Sequence, residues 1–498
     1  MELQFEKRTL PCMEQVLWDT QTTELTQELR LPDGMPDIGQ VAACWAQPVV
    51  RGKEWRSDRV SVNGGVMCWV LYTPEEEGPA QAIAAWMPYQ MKWDIPPTRH
   101  DGVIIAKPFI RNADARSLSS RKLMLRANVG MQAQAVTPGE TVIFAPDQLP
   151  ADVQVLKKTY PMLLPVEAGE KAFQIEEEIP FPGNLPQPEQ IVRYHLQPTL
   201  AEWKIMTDKA VFRGTGYLHV LYRGADGQLH TWDYELPISQ YADLDKEYDA
   251  DAAVEVLPAV TNLELDLVEG QMRLKAGLTG QYMVYERPIV ELVEDAYSPI
   301  RQVETKTEDL SIPAVLDTLE STMRVEQSLE FDGGNMIDLA FYPDDTQQHM
   351  GDDGMETRLP GVFQLLMMDR DGQLQSTNAY WEETDSVLAN PNSQVQTTVL
   401  PEGVPQAMIN SGGVSMQADL HIRHRVLNTE PMQAVTGLVL GEEKPKDPQR
   451  PSLILRRAGE ESLWDIAKAT GTTVEDICKA NRLDGQIEKD RMLIIPVP

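Results

Sequence analysis

The sequence predicts a mainly β protein: three tandem β-rich modules, of sandwich or barrel type, followed by a small α+β unit of order β-α-α-β. Three observations carry this. Apolar residues recur with period two in segments that repeat at about 150 residues, helix-period segments are scarce before residue 453, and the last 46 residues switch to helical spacing between two short strands.

The repeat is seen first at LTQELRL (25–31), IEEEIPF (175–181) and VEQSLEF (325–331). Each has apolar residues at its first, fifth and seventh positions: Leu25, Leu29, Leu31; Ile175, Ile179, Phe181; Val325, Leu329, Phe331. That spacing suits a strand with one buried face. The next stretch, PDGMPDIGQV, is acidic enough to pose as a metal or proton site. Its second copy, PGNLPQPEQIV, keeps Pro182, Pro186 and Gln190 opposite Pro32, Pro36 and Gln40, but has Gly183 and Gln187 in place of Asp33 and Asp37. The third copy, DGGNMIDLA, loses the prolines too. The prolines outlast the carboxylates, so the stretch is read as strand exit and turn.

A second element comes next in each copy. SVNGGVMCWVLYTPEEEG (61–78), VFRGTGYLHVLYRGADGQLHTW (211–232) and RLPGVFQLLMMDRDGQLQST (358–377) align, with Asp226-Gly227 and Asp371-Gly372 marking hairpins. The run VMCWVLY is apolar on both faces, as a central strand requires. Alternating segments at 123–136, 272–288 and 414–427 close the copies. The expected division is 1–150, 151–300 and 301–440 for the modules, 441–452 (GEEKPKDPQRPS) for a semi-extended linker, and 453–498 for the last domain, which the linker leaves free to move. In that domain Ser462 or Glu461 is expected to cap a helix ended by Gly471, and Thr473 a second helix through VEDICKAN.

Composition narrows the function. The net charge of −32 opposes nucleic-acid phosphates and anionic membranes. The charge sits in the body, because residues 451–498 carry 7 basic and 8 acidic side chains. Cys12, Cys44, Cys68 and Cys478 lack metal-site spacing and point to free thiols in a reducing compartment. No apolar run reaches the length of a membrane span, and the expectation is a soluble intracellular protein. No catalytic motif emerges, and no metal or cofactor is expected. His421 and His424 fall on opposite strand faces, 344–354 (DDTQQHMGDDG) reads as a solvated loop, and Arg213-Gly214-Thr215-Gly216 leads into a strand rather than a phosphate-binding helix.

The C-terminal segment resembles the LysM domain through Gly459, Ser462-Leu463-Trp464-x-Ile466-Ala467, Gly471-x-Thr473-Val474-x-x-Ile477, Ala480-Asn481-x-Leu483 and Leu493-x-Ile495-Pro496. The resemblance implies a shallow groove for N-acetylglucosamine glycans lined by Gly459, Glu460, Ser462, Leu463, Asn481, Gly485, Gln486 and Ile487. Ala458-Gly459-Glu460 and Lys489-Asp490-Arg491 replace the usual Pro-Gly-Asp and Pro-Gly-Gln at its rim. Trp464 is read as core rather than ligand-binding. The acidic repeats, with LPDGMPDIGQV, a VLY strand and the Trp86–Pro88 and Tyr234–Pro237 steps, resemble SPOCS domains, and the whole chain is similar to the SipL-like spore-coat morphogenetic proteins. That similarity implies a non-enzymatic scaffold in the mother-cell cytoplasm, at the forespore surface, whose protein partner is the spore-coat basement ATPase. The alternative it leaves is a glycan-binding protein of the cell wall or cortex.

Overall fold

The computed structural model describes residues 1–497 except 147, 331–333, 353, 391–392, 411–412, 430, 446–450, 486 and 488–489. Phe331 and Gln486, named above, therefore lie outside the described residues, as do parts of the expected linker and of the 344–354 run.

Three copies of one topology fill most of the chain. The first module has strands Glu6–Arg30, Ile38–Arg56, Arg59–Pro74, Gln81–Asp94, Val103–Ser119 and Lys122–Ala145. The second to fourth form one antiparallel meander, while the sixth sits between the first and fifth in another sheet. The second module repeats this with Leu164–Ile179, Pro188–Met206, Lys209–Gly224, Leu229–Asp243, Ala253–Val268 and Gln271–Glu286. The third does so with Val315–Leu329, Asn335–Pro343, Met355–Met368, Leu374–Val387, Ser393–Asn410 and Gly413–Asn428. Each module is thus a pair of three-stranded sheets, to which the third adds Gln347–Met350, paired with Met355–Met368. That short strand occupies much of the stretch read as a solvated loop. Its acidic neighbour Asp344 is held by Arg111 at 2.5 Å.

The apolar patterns do what their spacing demands. Val66, Cys68, Trp69, Val70, Leu71 and Tyr72 are all buried, because their strand is central in its sheet and covered on both faces. Leu123, Leu125, Ala127, Val129 and Met131 alternate into the same core from the other sheet. The prolines after the first strand make a turn in both early copies: Met35 N–H donates to Pro32 O at 3.1 Å, and Leu185 N–H to Pro182 O at 3.2 Å. Asp37 serves that turn by accepting from Arg121 at 2.9 Å, a hydrogen bond that lowers its pKa. At the Asp-Gly hairpins only the glycines have positive φ, +76° at Gly227 and +78° at Gly372. The aspartates do not share it, and Gln228 N–H donates to the Asp226 carboxylate at 3.0 Å. Gly214 is glycine for packing: a Cβ there would lie 2.0 Å from Thr199 O, as one at Gly64 would from Val49 O. The phosphate-like Gly-x-Gly is a close approach of two strands.

The modules close into a ring. Ile38–Arg56 of the first lies against Ala253–Val268 of the second, Pro188–Met206 of the second against Ser393–Asn410 of the third, and Asn335–Pro343 of the third against Val103–Ser119 of the first. Six prolines at equivalent positions, Pro48, Pro198 and Pro343 with Pro108, Pro258 and Pro401, line a central cavity of about 110 Å³. All six sit on sheet-edge strands, where proline removes the N–H that would invite strand pairing across the axis.

The stretches between modules form a further unit. Glu2–Gln4 and Arg301–Leu310 flank Met432–Glu443, and Gln154–Tyr160 pairs with Val290–Tyr297. Phe5, Val153, Val293, Ala296, Val435, Leu438 and Leu440 share its core. Residues 441–443 of the expected linker thus belong to a paired strand. Cys12, Cys44 and Cys68 are buried free thiols, and Cys478 is half-buried and free.

Candidate functional site

The C-terminal domain is built as its sequence implies. Strands Leu453–Arg457 and Met492–Pro496 pair antiparallel and enclose α1 (Leu463–Thr470) and α2 (Val474–Asn481). Ser462 caps α1 and forms a reciprocal capping box with Asp465, and Gly471 ends the helix at φ +63°. Thr473 caps α2. Asp490 adopts φ +69°, so the rim position where the motif resemblance calls for glycine does hold a left-handed backbone.

The seven described groove residues divide by what their side chains already do. Ser462 Oγ accepts from Asp465 N–H at 3.1 Å, and Leu463 is buried in the core. Asn481 is a bracket: its Nδ2 donates to Ile477 O at 2.8 Å and Ile494 O at 2.6 Å, and its Oδ1 accepts from Ile494 N–H at 2.7 Å. Ile487 is half-buried and packs on the same core. Gly459, Glu460 and Gly485 are exposed, and a Cβ at either glycine would meet nothing within 4 Å. Three of the side chains expected to line a ligand groove are therefore spent on the fold itself.

The first helix is spoken for by the body. Trp464 Nε1 donates to Asp295 Oδ2 at 2.9 Å, and Lys468 Nζ reaches the same carboxylate at 2.6 Å. Tyr297 packs edge-on against Trp464, 4.8 Å between ring centroids, and donates its hydroxyl to Thr472 O at 2.8 Å. Trp464 is core, as the sequence implies, but the core spans two units. The freedom expected of the last domain is answered by this docking on Val290–Tyr297. Sequence reasoning missed Asp295 and Tyr297, which carry no motif and meet Trp464 across more than 160 residues of chain, 169 in the case of Asp295.

Ionisable groups also converge between the second and third modules. Arg193 donates through Nε to Asp338 Oδ2 at 2.6 Å and through Nη2 to Oδ1 at 3.0 Å. His219 Nε2 lies 2.7 Å from the same Asp338 oxygen, and its Nδ1 lies 2.5 Å from Asp233. Burial pushes the Asp338 carboxyl up, but Arg193 and His219 outweigh it and hold it well below the usual carboxylate range. Burial likewise opposes the charged His219, and the Asp338 charge reverses the sign, raising its pKa. Neighbouring His195 has no such partner, and burial, reinforced by Arg193, lowers it to about 3. Asp338 has no exposed side-chain surface, and both its oxygens are taken. This is a clamp between the second and third modules, not a site with an atom to spare for chemistry. His421 and His424 serve different partners, Glu402 at 3.7 Å and Thr397 at 2.8 Å. No cluster of three or more His, Cys, Asp or Glu that could hold a metal ion occurs among the described residues. Among the same residues, no helix is long and apolar enough to cross a membrane.

Repeated β modules closed into a ring, with a βααβ domain docked on them, make a multi-domain architecture. Comparison with known families names the parts: residues 187–268 match the family described as SipL, SPOCS domain, and residues 458–496 match the LysM domain. The chain thus carries the domain combination of a SipL-like protein with LysM. No curated protein and no solved structure matches. SPOCS and LysM are non-catalytic binding domains, and together they mark a sporulation-related protein.

Proposed function

We propose that the chain is a non-catalytic assembly scaffold of the spore coat, docking on the coat-basement ATPase at the forespore surface in the mother cell through its LysM domain and β modules. The observation that carries this reading is the internal use of Ser462, Leu463 and Asn481 in the domain built for recognition. A groove whose side chains hold the fold together offers little to a sugar, while the rest of the domain surface remains for a protein. The ring supports the same reading, since three modules packed side by side offer several surfaces to a partner at once. Peptidoglycan binding has the LysM match alone in its favour.

The test is a side-by-side binding assay of the full chain against purified ATPase and against chitin oligomers, repeated after deletion of 452–498. ATPase binding that falls with the deletion, with no chitin binding, is the expected result. Chitin binding without ATPase binding overturns the proposal in favour of the glycan reading.

A further inference from the structure

The LysM domain has one face that neither the body nor its own loops account for. Leu453 (60% exposed), Leu455 (70%), Met492 (57%) and Ile494 (41%) are large aliphatic side chains left in water. The register pairs Leu455 with Ile494, Leu453 with Pro496 and Arg457 with Met492, so all four lie on one side of the two-stranded sheet. The intervening Ile454, Leu493 and Ile495 turn inward to the domain core. A contiguous aliphatic patch on so small a sheet marks an interaction surface.

The two edges of that sheet differ. Asn481 takes both the N–H and the C=O of Ile494 and so caps the edge of Met492–Pro496. Leu455 directly opposes Ile494, and in an antiparallel ladder both members of such a pair turn their backbone groups away from each other. The N–H and C=O of Leu455 therefore point out along the other edge. Among the described residues, no backbone group pairs with that edge.

We infer that the edge of Leu453–Arg457, with the aliphatic face beside it, receives an extended segment of a partner protein as an added strand. An open row of backbone groups selects an extended chain, and the aliphatic face selects apolar residues at its alternate positions. The acidic body, which holds nearly all of the net charge of −32, opposes a second copy of this chain, so the occupant is a segment of a different protein. The inference rests on the protein-docking reading above and locates it on the sheet, away from the groove.

The test uses the full chain and purified ATPase. Ile494→Glu places a charge on the aliphatic face. Leu455→Pro removes one outward N–H at an edge position that tolerates proline. Each is expected to weaken binding by about tenfold or more, with the thermal transition and the far-ultraviolet circular dichroism unchanged. Wild-type binding that neither variant weakens overturns the sheet-edge site and leaves the docking reading standing. No wild-type binding removes the docking reading and this inference with it. Self-association abolished by Ile494→Glu replaces the partner with a second copy and overturns the inference, as does displacement of the ATPase by chitin oligomers, which moves the site to the groove.

Discussion

At one set of equivalent positions, the three contacts between modules use three different chemistries. Where the first module meets the second, Trp69 packs edge-on against Tyr194, 4.9 Å between ring centroids. Where the second meets the third, the equivalent residue is His219, and it bonds to buried Asp338. Where the third returns to the first, it is Gln364, whose Nε2 donates to Cys44 O at 2.9 Å. A residue facing the ring in the second strand varies in the same way, as Ala43, Arg193 and Asp338. Three copies of one fold could close in more than one order. An aromatic pair, an ion pair and an amide hydrogen bond do not substitute for one another, so mismatched neighbours would bury unpaired groups. The third module, whose sequence departs most from the others, carries the Asp338 half of the ion pair and keeps the same strand order.

The contrast among the three contacts breaks most readily at the ionic one. Asp338→Ala leaves Arg193 buried without its counter-charge and is expected to cost about 3–5 kcal/mol, read as a fall in the denaturation midpoint. Replacing Arg193 and Asp338 together with apolar residues recovers most of that loss if the pair specifies order rather than stability. Trp69→Leu at the aromatic contact loses ring packing, about 2 kcal/mol by the same measurement. Gln364→Ala at the amide contact strands the Cys44 carbonyl and costs about 1–2 kcal/mol.

The last effect is one of pH. His195 titrates at about 3 in the folded chain against about 6.5 unfolded. The unfolded chain therefore binds a proton the folded chain refuses, and stability falls as pH drops from about 6.5 toward about 3. His219, raised by Asp338, has the opposite sign: its contribution is full below about 6.5 and fades as pH rises through its folded value. Thermal midpoints measured against pH are expected to show a shallower acid-side slope in His195→Gln and a shallower alkaline-side slope in His219→Gln.

Much of the ring is legible in the sequence. The Leu25, Ile175 and Val325 alternation places the opening strands, VMCWVLY announces a central strand, and the Ser462 and Thr473 caps set both helices. A signal for the axis is present as well, in Pro48, Pro198 and Pro343 with Pro108, Pro258 and Pro401, but a proline in a strand declares only an edge, not what the edge faces. Asn481 shows a related limit. An amide reads as a ligand donor in sequence, and only the nearby backbone of Ile494 shows that it is already bonded.

Local order was settled by the chain itself: period-two burial, turn prolines and capping residues act over a few neighbours and need no distant partner. Closure of the ring, the unit woven from the inter-module strands, and the docking of Trp464 on Asp295 join residues more than a hundred positions apart. Those choices depend on which buried groups find partners across folded surfaces, and such surfaces exist only once the modules have formed.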